Sequence, residues 1–358
     1  MMYKLAMSRV SDLLASFGKV IAPIERAEQV NFGAWSPEET LRLDVLKTVN
    51  SAKDAFFPQS EDIVHFKMEG KNIAIGMPEK PDEPFVLFGA RACDVRALDV
   101  LDRVFLSEPA DPGYAARRKN GTIVSIACAR PAETCFCHAY GIDATAPQGD
   151  VACWIDGDTL YWQPQSEKGQ ALTETAKPFL EECPDTAADA AKQAIREILD
   201  RLPLKDLTLD GWGGDVLMEK FNSEKWADLS RACLGCGACT FVCPTCQCYD
   251  IRDFDTGHGI QRYRCWDSCM YKDFTMMASG TPRPTQLERY RQRFMHKLVY
   301  FPANNDGMFS CVGCGRCVAR CRQGALRLEN GKCVCDQSKC VRCGYCAPVC
   351  EEFCIKVI

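Results

Sequence analysis

Between Cys311 and Cys350 the chain repeats one cysteine spacing: CVGCGRCVARC, then eighteen residues, then CVRCGYCAPVC. Each half reads C-x2-C-x2-C-x3-C. Three thiolates spaced this way wrap three corners of one iron–sulfur cubane in a tight loop, and the fourth, a helical turn on, faces a second cubane. This is the ligand spacing of a bacterial two-cluster ferredoxin. It assigns Cys311, Cys314, Cys317 and Cys350 to one 4Fe-4S cluster and Cys340, Cys343, Cys346 and Cys321 to another. The intervening GALRLENGKCVCD reads as a strand, an Asn-Gly turn and a strand, which suits a βαββαβ ferredoxin fold. Zinc sites use C-x2-C pairs to surround one ion, and the doubled four-cysteine register goes beyond that need.

Composition supports metal ligation. Twenty-five cysteines in 358 residues is heavy use, in a chain too long to be a disulfide-stapled mini-protein. The opening MMYKLAMSRVSDLLASF is amphipathic rather than a signal peptide, and no apolar run suffices to span a bilayer. These features predict a soluble, cytoplasmic protein of a reducing compartment. A net charge of −5 selects no partner class.

The predicted fold class is α+β and multidomain. An N-terminal α/β domain (1–210) precedes a helical iron–sulfur segment (211–305) and a two-cluster bacterial-type ferredoxin domain (306–358), with DGWGGD at 210–215 as the first break. In the N-terminal domain, Val10, Leu13, Leu14 and Phe17 mark a helix face closed by Gly18, and KVIAPI and QVNFGA read as strands. Ser36, Pro37 and Glu39 predict a capped helix over SPEETLRLDVLKTV. PFVLFG, a helix marked by Val95, Leu98, Leu101 and Phe105 with Asp94 as cap, and TIVSIAC form a β-α-β unit with parallel strands. Cys93 and Cys128 then leave the C-terminal ends of neighbouring strands, where open α/β sheets gather their ligands. CFC adds Cys135 and Cys137, so these four thiols are candidates for a further cubane. VACWIDGDTLYW is a hairpin about Asp156-Gly157, Cys153 and Cys183 read as core, and Ile195, Ile198, Leu199 and Leu202 mark a helix.

The middle segment carries a third C-x2-C-x2-C-x3-C, at Cys233, Cys236, Cys239 and Cys243. Cys246, Cys248, Cys265 and Cys269 follow as further candidate ligands, enough for a second cluster in this segment. Two arrangements fit. The motif exchanges fourth cysteines with 311–321, or a nearby cysteine closes its site and the C-terminal pair keeps its own exchange. TPRPTQLERYRQRFMHKLVYF sets five Arg or Lys against one Glu. No nucleic-acid motif accompanies it, so its charge is read as offsetting that of the cubanes.

SAKDAFFPQSE, FGARACDVRALDVLDRVF, CARPAETCFC, CLGCGACTFVCPTCQCYDIRD, RYRCWDSCM and RQRFMHKLVYF together resemble the iron–sulfur beta subunit of sulfhydrogenases and the corresponding iron–sulfur subunit of anaerobic sulfite reductase, which form one family. The resemblance covers about residues 10–321. It implies an electron-transfer subunit working between an FAD subunit that handles NAD(P)H and a catalytic subunit of hydrogenase, sulfite reductase or heterodisulfide-reductase type. The chain departs from the family pattern at Arg322 and Glu351, where prolines usually follow the fourth cysteine, and by adding Cys340–Cys350. We expect about four 4Fe-4S clusters, with five as the upper case. The Rossmann glycine fingerprint is absent, which predicts no flavin or nicotinamide site. The alternative is an enzyme whose N-terminal cluster leaves one iron open to a sulfur compound. Four candidate thiols there suffice for full ligation and argue against it.

Overall fold

The computed structural model describes residues 1–45, 48–78, 83–231, 233, 235–321, 326–329 and 332–335. Cys340, Cys343, Cys346 and Cys350 lie outside them, as does the side chain of Cys321. The chain divides into two compact units, the first of residues 1–56, 81–210 and 311–316, the second of 57–80, 211–310 and 317–358.

The first unit is built on a nine-stranded sheet. Its order is Glu181–Cys183, Met2–Ala6, Thr159–Pro164, Val151–Asp156, Gly121–Ile126, Phe85–Ala90, Val20–Arg26 and Gln29–Ala34, with Thr40–Leu41 also bonded to Val20–Arg26. The four strands from Val151–Asp156 to Val20–Arg26 run parallel to one another. Phe85–Ala90 is buried along its whole length, as a parallel strand covered on both faces must be. The helix Ala92–Phe105 follows it and buries Val95, Leu98, Leu101 and Phe105. Asp94 is the third residue of that helix rather than its cap, and its carboxylate accepts the Arg91 backbone N–H at 3.3 Å. Val151–Asp156 and Thr159–Pro164 form the expected hairpin, with Gly157 at φ 54° in the turn.

The helix predicted after Ser36 does not form over the described part of that stretch. Arg26 pairs with the Glu39 carboxylate that a capping box would need, and Thr40–Leu41 instead bonds to the sheet opposite Glu25 and Ile24. Leu43 is buried in the core of the sheet. Sheet pairing and burial of the two leucines outweigh a local cap.

The second unit contains a four-stranded sheet in the order Tyr249–Asp255, Ile260–Trp266, Ser60–Glu69, Asn72–Gly76. The 211–305 segment is therefore not wholly helical, because its hairpin pairs with strands from residues 60–76. Its helical part packs Trp226 against Met295 and Val299, with Phe294 stacked on the indole and Tyr290 edge-on to it. Thr285 and Glu288 form a reciprocal capping box that starts the helix Gln286–Met295. This helix continues as a π turn, His296–Tyr300, and then as Phe301–Asn304. Leu326–Glu329 and Lys332–Cys335 pair antiparallel, as the Asn-Gly pattern predicts. Among the described residues no helix is long and apolar enough to cross a membrane. The architecture is mixed α and β, with cysteines concentrated at loop and helix junctions of both units.

Candidate iron–sulfur sites

In the first unit Cys93 follows the buried strand Phe85–Ala90, and Cys128 follows Gly121–Ile126 two residues after its end. The two strands are parallel neighbours, so both thiols leave the same sheet edge. The loop carrying Cys135 and Cys137 folds back to them. Cys128 lies in the electrostatic field of Cys135 and Cys137, and Cys93 in that of Cys137 and Cys314. The four N-terminal candidates thus converge, and Cys314 stands next to them.

The 311–316 loop lies backbone-to-backbone on the CFC loop. Phe136 N donates to the Gly313 carbonyl at 2.8 Å, Thr134 Oγ1 to the Gly315 carbonyl at 3.2 Å, and Cys135 Sγ to the Cys314 carbonyl at 3.7 Å. Gly313 and Gly315 have φ of 58° and 68°, and a Cβ on either would collide with the backbone of Phe136 or Thr134. Glycine is required there for both its left-handed conformation and its missing side chain.

Two buried guanidiniums flank these thiols. Arg316 and Arg91 are each only 3% exposed. Arg316 pairs with Asp94 at 2.8 and 3.4 Å and donates to Thr48 O at 3.2 Å and Thr48 Oγ1 at 3.1 Å. Arg91 donates to the carbonyls of Leu43 at 3.2 Å and Ile126 at 3.5 Å. Burial acts to lower the pKa of Arg316, but Asp94, Cys314 and Cys93 more than offset it and raise it. For Arg91 burial wins and lowers it, against the pull of Cys128, Asp94 and Cys93. Burial drives the Cys93 thiol well above its ordinary value, that of Cys128 up to about 12 and that of Cys137 up to about 11. Without metal, Cys93, Cys128 and Cys137 therefore keep their protons, and iron must displace them.

The second unit holds two thiol groups. Gln286 Nε2 donates to Cys233 Sγ at 3.2 Å, and Cys239 has Cys317, Cys269 and Cys236 near it. Burial pushes Cys239 up to about 12, against the nearby Arg293 guanidinium. The other group is Cys243, Cys246, Cys248 and Cys269. Cys243 and Cys246 share a thiol hydrogen bond, as do Cys248 and Cys269, and Cys246 also faces Cys269. Cys265 points elsewhere, toward Arg252, Asp250 and Asp267. Among the described residues no three His, Cys, Asp or Glu side chains stand close enough to hold one metal ion. A cubane takes its thiolates on four separate irons, so its ligands need not converge on one point.

The basic 281–301 stretch puts two of its five cations inside the protein. Arg293 and Lys297 are 5% and 4% exposed. The groups that raise the Arg293 pKa, against burial, are Cys239, Cys317, Cys246 and Cys243. Arg293 Nη2 donates to the Cys239 carbonyl at 3.4 Å, and its Nε has no hydrogen-bond partner among the described residues.

Residues 232–325 match a family model described as a 4Fe-4S dicluster domain, a span that includes the 233–243 and 311–321 motifs and ends before Cys340. The chain is also 33% identical over 327 residues to sulfhydrogenase 2 subunit beta of Pyrococcus furiosus, across 89% of this chain and 92% of the relative. The chain belongs to the sulfhydrogenase beta-subunit family. It is an iron–sulfur protein of the 4Fe-4S kind.

Three buried groups beside these cysteines escape the sequence reading. Arg91 and Arg316 show no pattern beyond an arginine next to a ligand loop, and Asp94 reads as a cap. An arginine inside a cysteine loop, as in CGRC, is the one signal that points to them.

Proposed function

We propose that the chain is the electron-relay subunit of an oxidoreductase complex. It would carry electrons between an FAD- and NAD(P)H-handling subunit and a catalytic subunit of hydrogenase, sulfite reductase or heterodisulfide-reductase type. Membership of the sulfhydrogenase beta family supports this role, as do the thiol groups gathered in each unit. Bound 4Fe-4S clusters supply one-electron carriers, about four of them by motif count. Cys93, Cys128, Cys135 and Cys137 would hold the first, and the motifs at 233–243, 311–321 and 340–350 the others.

The observation that carries the reading is the charge balance at the N-terminal thiols. Two buried guanidiniums, Arg91 and Arg316, stand there with one carboxylate, Asp94, which pairs with Arg316. Burying an uncompensated charge costs several kcal/mol, and neutral thiols do not offset it. Four thiolates on a cubane do. Positive charge of this kind also stabilises the electron added on reduction. The contact of the 311–316 loop with the CFC loop brings Cys314 beside Cys93, which favours transfer between neighbouring clusters.

Anaerobic iron and acid-labile sulfide analysis with low-temperature EPR tests this. Cys93→Ala with Cys128→Ala should remove about four irons and one EPR signal. A folded double variant that keeps every iron would reduce these thiols to packing. Stoichiometric zinc in the purified chain would overturn the whole reading.

A further inference from the structure

The Cys246, Cys248 and Cys269 thiols belong to none of the doubled motifs, yet the fold brings them together. Cys248 precedes the strand Tyr249–Asp255, and Cys269 follows its partner Ile260–Trp266 by three residues. The hairpin therefore returns the chain to its starting point, where Asp267 N donates to the Cys248 carbonyl at 3.0 Å. Cys243 reaches the same place from the other side through Cys246, with Thr245 Oγ1 3.3 Å from its sulfur. Lys297 stands beside all four thiols on the π turn. Its ammonium donates to Thr245 Oγ1 at 2.7 Å and to the Ser310 carbonyl at 3.1 Å. π turns interrupt helices at functional positions often enough that a buried lysine on one, facing four thiols, has a reason to be there.

We infer that Cys243, Cys246, Cys248 and Cys269 bind a 4Fe-4S cluster of their own, with Lys297 and Arg293 as its buried cationic wall. This inference rests on the relay reading and deepens it: it moves Cys243 out of the 233–243 motif, so a count of five requires that Cys233, Cys236 and Cys239 take a fourth ligand from elsewhere. It gives Cys243 a local role in place of exchange with the 311–321 motif. Cys265, four residues before Cys269, takes no part, because it faces Arg252 and Asp250 instead. The orphaned Arg293 Nε then has a use, as a donor to cluster sulfur.

Core packing is the alternative: one buried and three partly buried thiols filling space under a hairpin, as free cysteines often do. It explains neither the polar wall nor the orphaned N–H.

The test compares wild type with Cys246→Ala/Cys248→Ala and with Lys297→Gln, each purified anaerobically as the full chain. The double variant should lose about four irons and one EPR signal while the N-terminal signal stays. Lys297→Gln should keep all its iron but move the midpoint potential of one signal to more negative values, since a positive charge beside the reducible group is gone. If the double variant keeps its full iron content, the inference fails. It also fails if that site fills with zinc, or if Lys297→Gln shifts no potential. Should the double variant not fold, Cys248→Ser, which preserves shape, takes its place with the same two readouts. An iron-free wild type would sink the parent reading, whereas an iron-rich wild type with an unchanged double variant would sink this inference alone.

Discussion

Replacing Arg316 by Gln should destabilise the first unit heavily, and the size of the effect follows from the geometry. Arg316 and Asp94 side chains are 3% and 1% exposed and 2.8 Å apart. Arg316 also holds Thr48 through both its carbonyl and hydroxyl oxygens. Removing one partner of such a pair leaves the other charge buried alone, which costs about 3–5 kcal/mol. For a unit of this size, that lowers Tm by roughly 6–20 °C at about 2–4 °C per kcal/mol. Asp94→Asn should do similar damage by stranding Arg316. The double variant should lose much less than the sum of the two, because both buried charges then leave together. The two single variants should also move the potential of a cluster held at the proposed N-terminal site in opposite directions: Arg316→Gln downward, Asp94→Asn upward. Thermal scans at one fixed rate, on anaerobic iron-loaded protein, give the stabilities, and an EPR-monitored titration gives the potentials. Additive losses in the double variant, or potentials shifting the same way in both, would show that the pair is not an electrostatic tie.

Two further outcomes are expected. The Cys128 and Cys137 thiols hold their protons up to about 12 and about 11 against an ordinary 9.0, chiefly through burial, so protons compete with iron at every pH below that range. Loss of iron to a chelator should therefore speed up as pH falls from about 8 to about 6, and a flat pH dependence would speak against thiolate ligation at this edge. Gly315→Ala should destabilise the first unit by about 2–4 kcal/mol, combining the left-handed penalty with a collision against Thr134, which unfolding by urea with iron retained would measure.

The parts of the fold that could be read from the sequence are those where local pattern and final environment agree. PFVLFG is apolar throughout and becomes a strand buried on both faces. The 92–105 helix buries the four residues whose spacing marks it. The stretch after Ser36 misleads because its capping signal is real but weak. Glu39 goes to Arg26, and Leu41 goes to the sheet. The strand Ser60–Glu69 finds its partner about two hundred residues later, at Ile260–Trp266, and no alternation within a strand names a partner that distant. For the same reason Cys248 and Cys269 show no recognisable spacing, since their meeting depends on a hairpin closing between them. Cys93 and Cys128 are the contrasting case, because the β-α-β rule alone sends both to one edge.

The buried cations are the least legible feature and say the most about chemistry. Sequence gives the 281–301 stretch a basic count, which ordinarily describes a solvated helix face. The structure turns Arg293 and Lys297 inward onto thiols and does the same with Arg91 and Arg316 in the other unit. Charges are buried only where something compensates them. Asp94 answers for one of the two guanidiniums in the first unit, and the groups that hold the Arg293 proton are themselves cysteines. Protonated thiols are neutral and would leave these cations uncompensated, so the cysteines reach electrostatic balance only as thiolates. The shifts run both ways. Cys243 and Cys248 are held low by hydrogen bonds from neighbouring thiols. Burial or a neighbouring thiol holds the proton on Cys93, Cys128, Cys137, Cys239, Cys246 and Cys269, and at these metal is what makes the thiolate. Cluster insertion and folding should therefore be coupled in both units, each supplying the charge that the other requires.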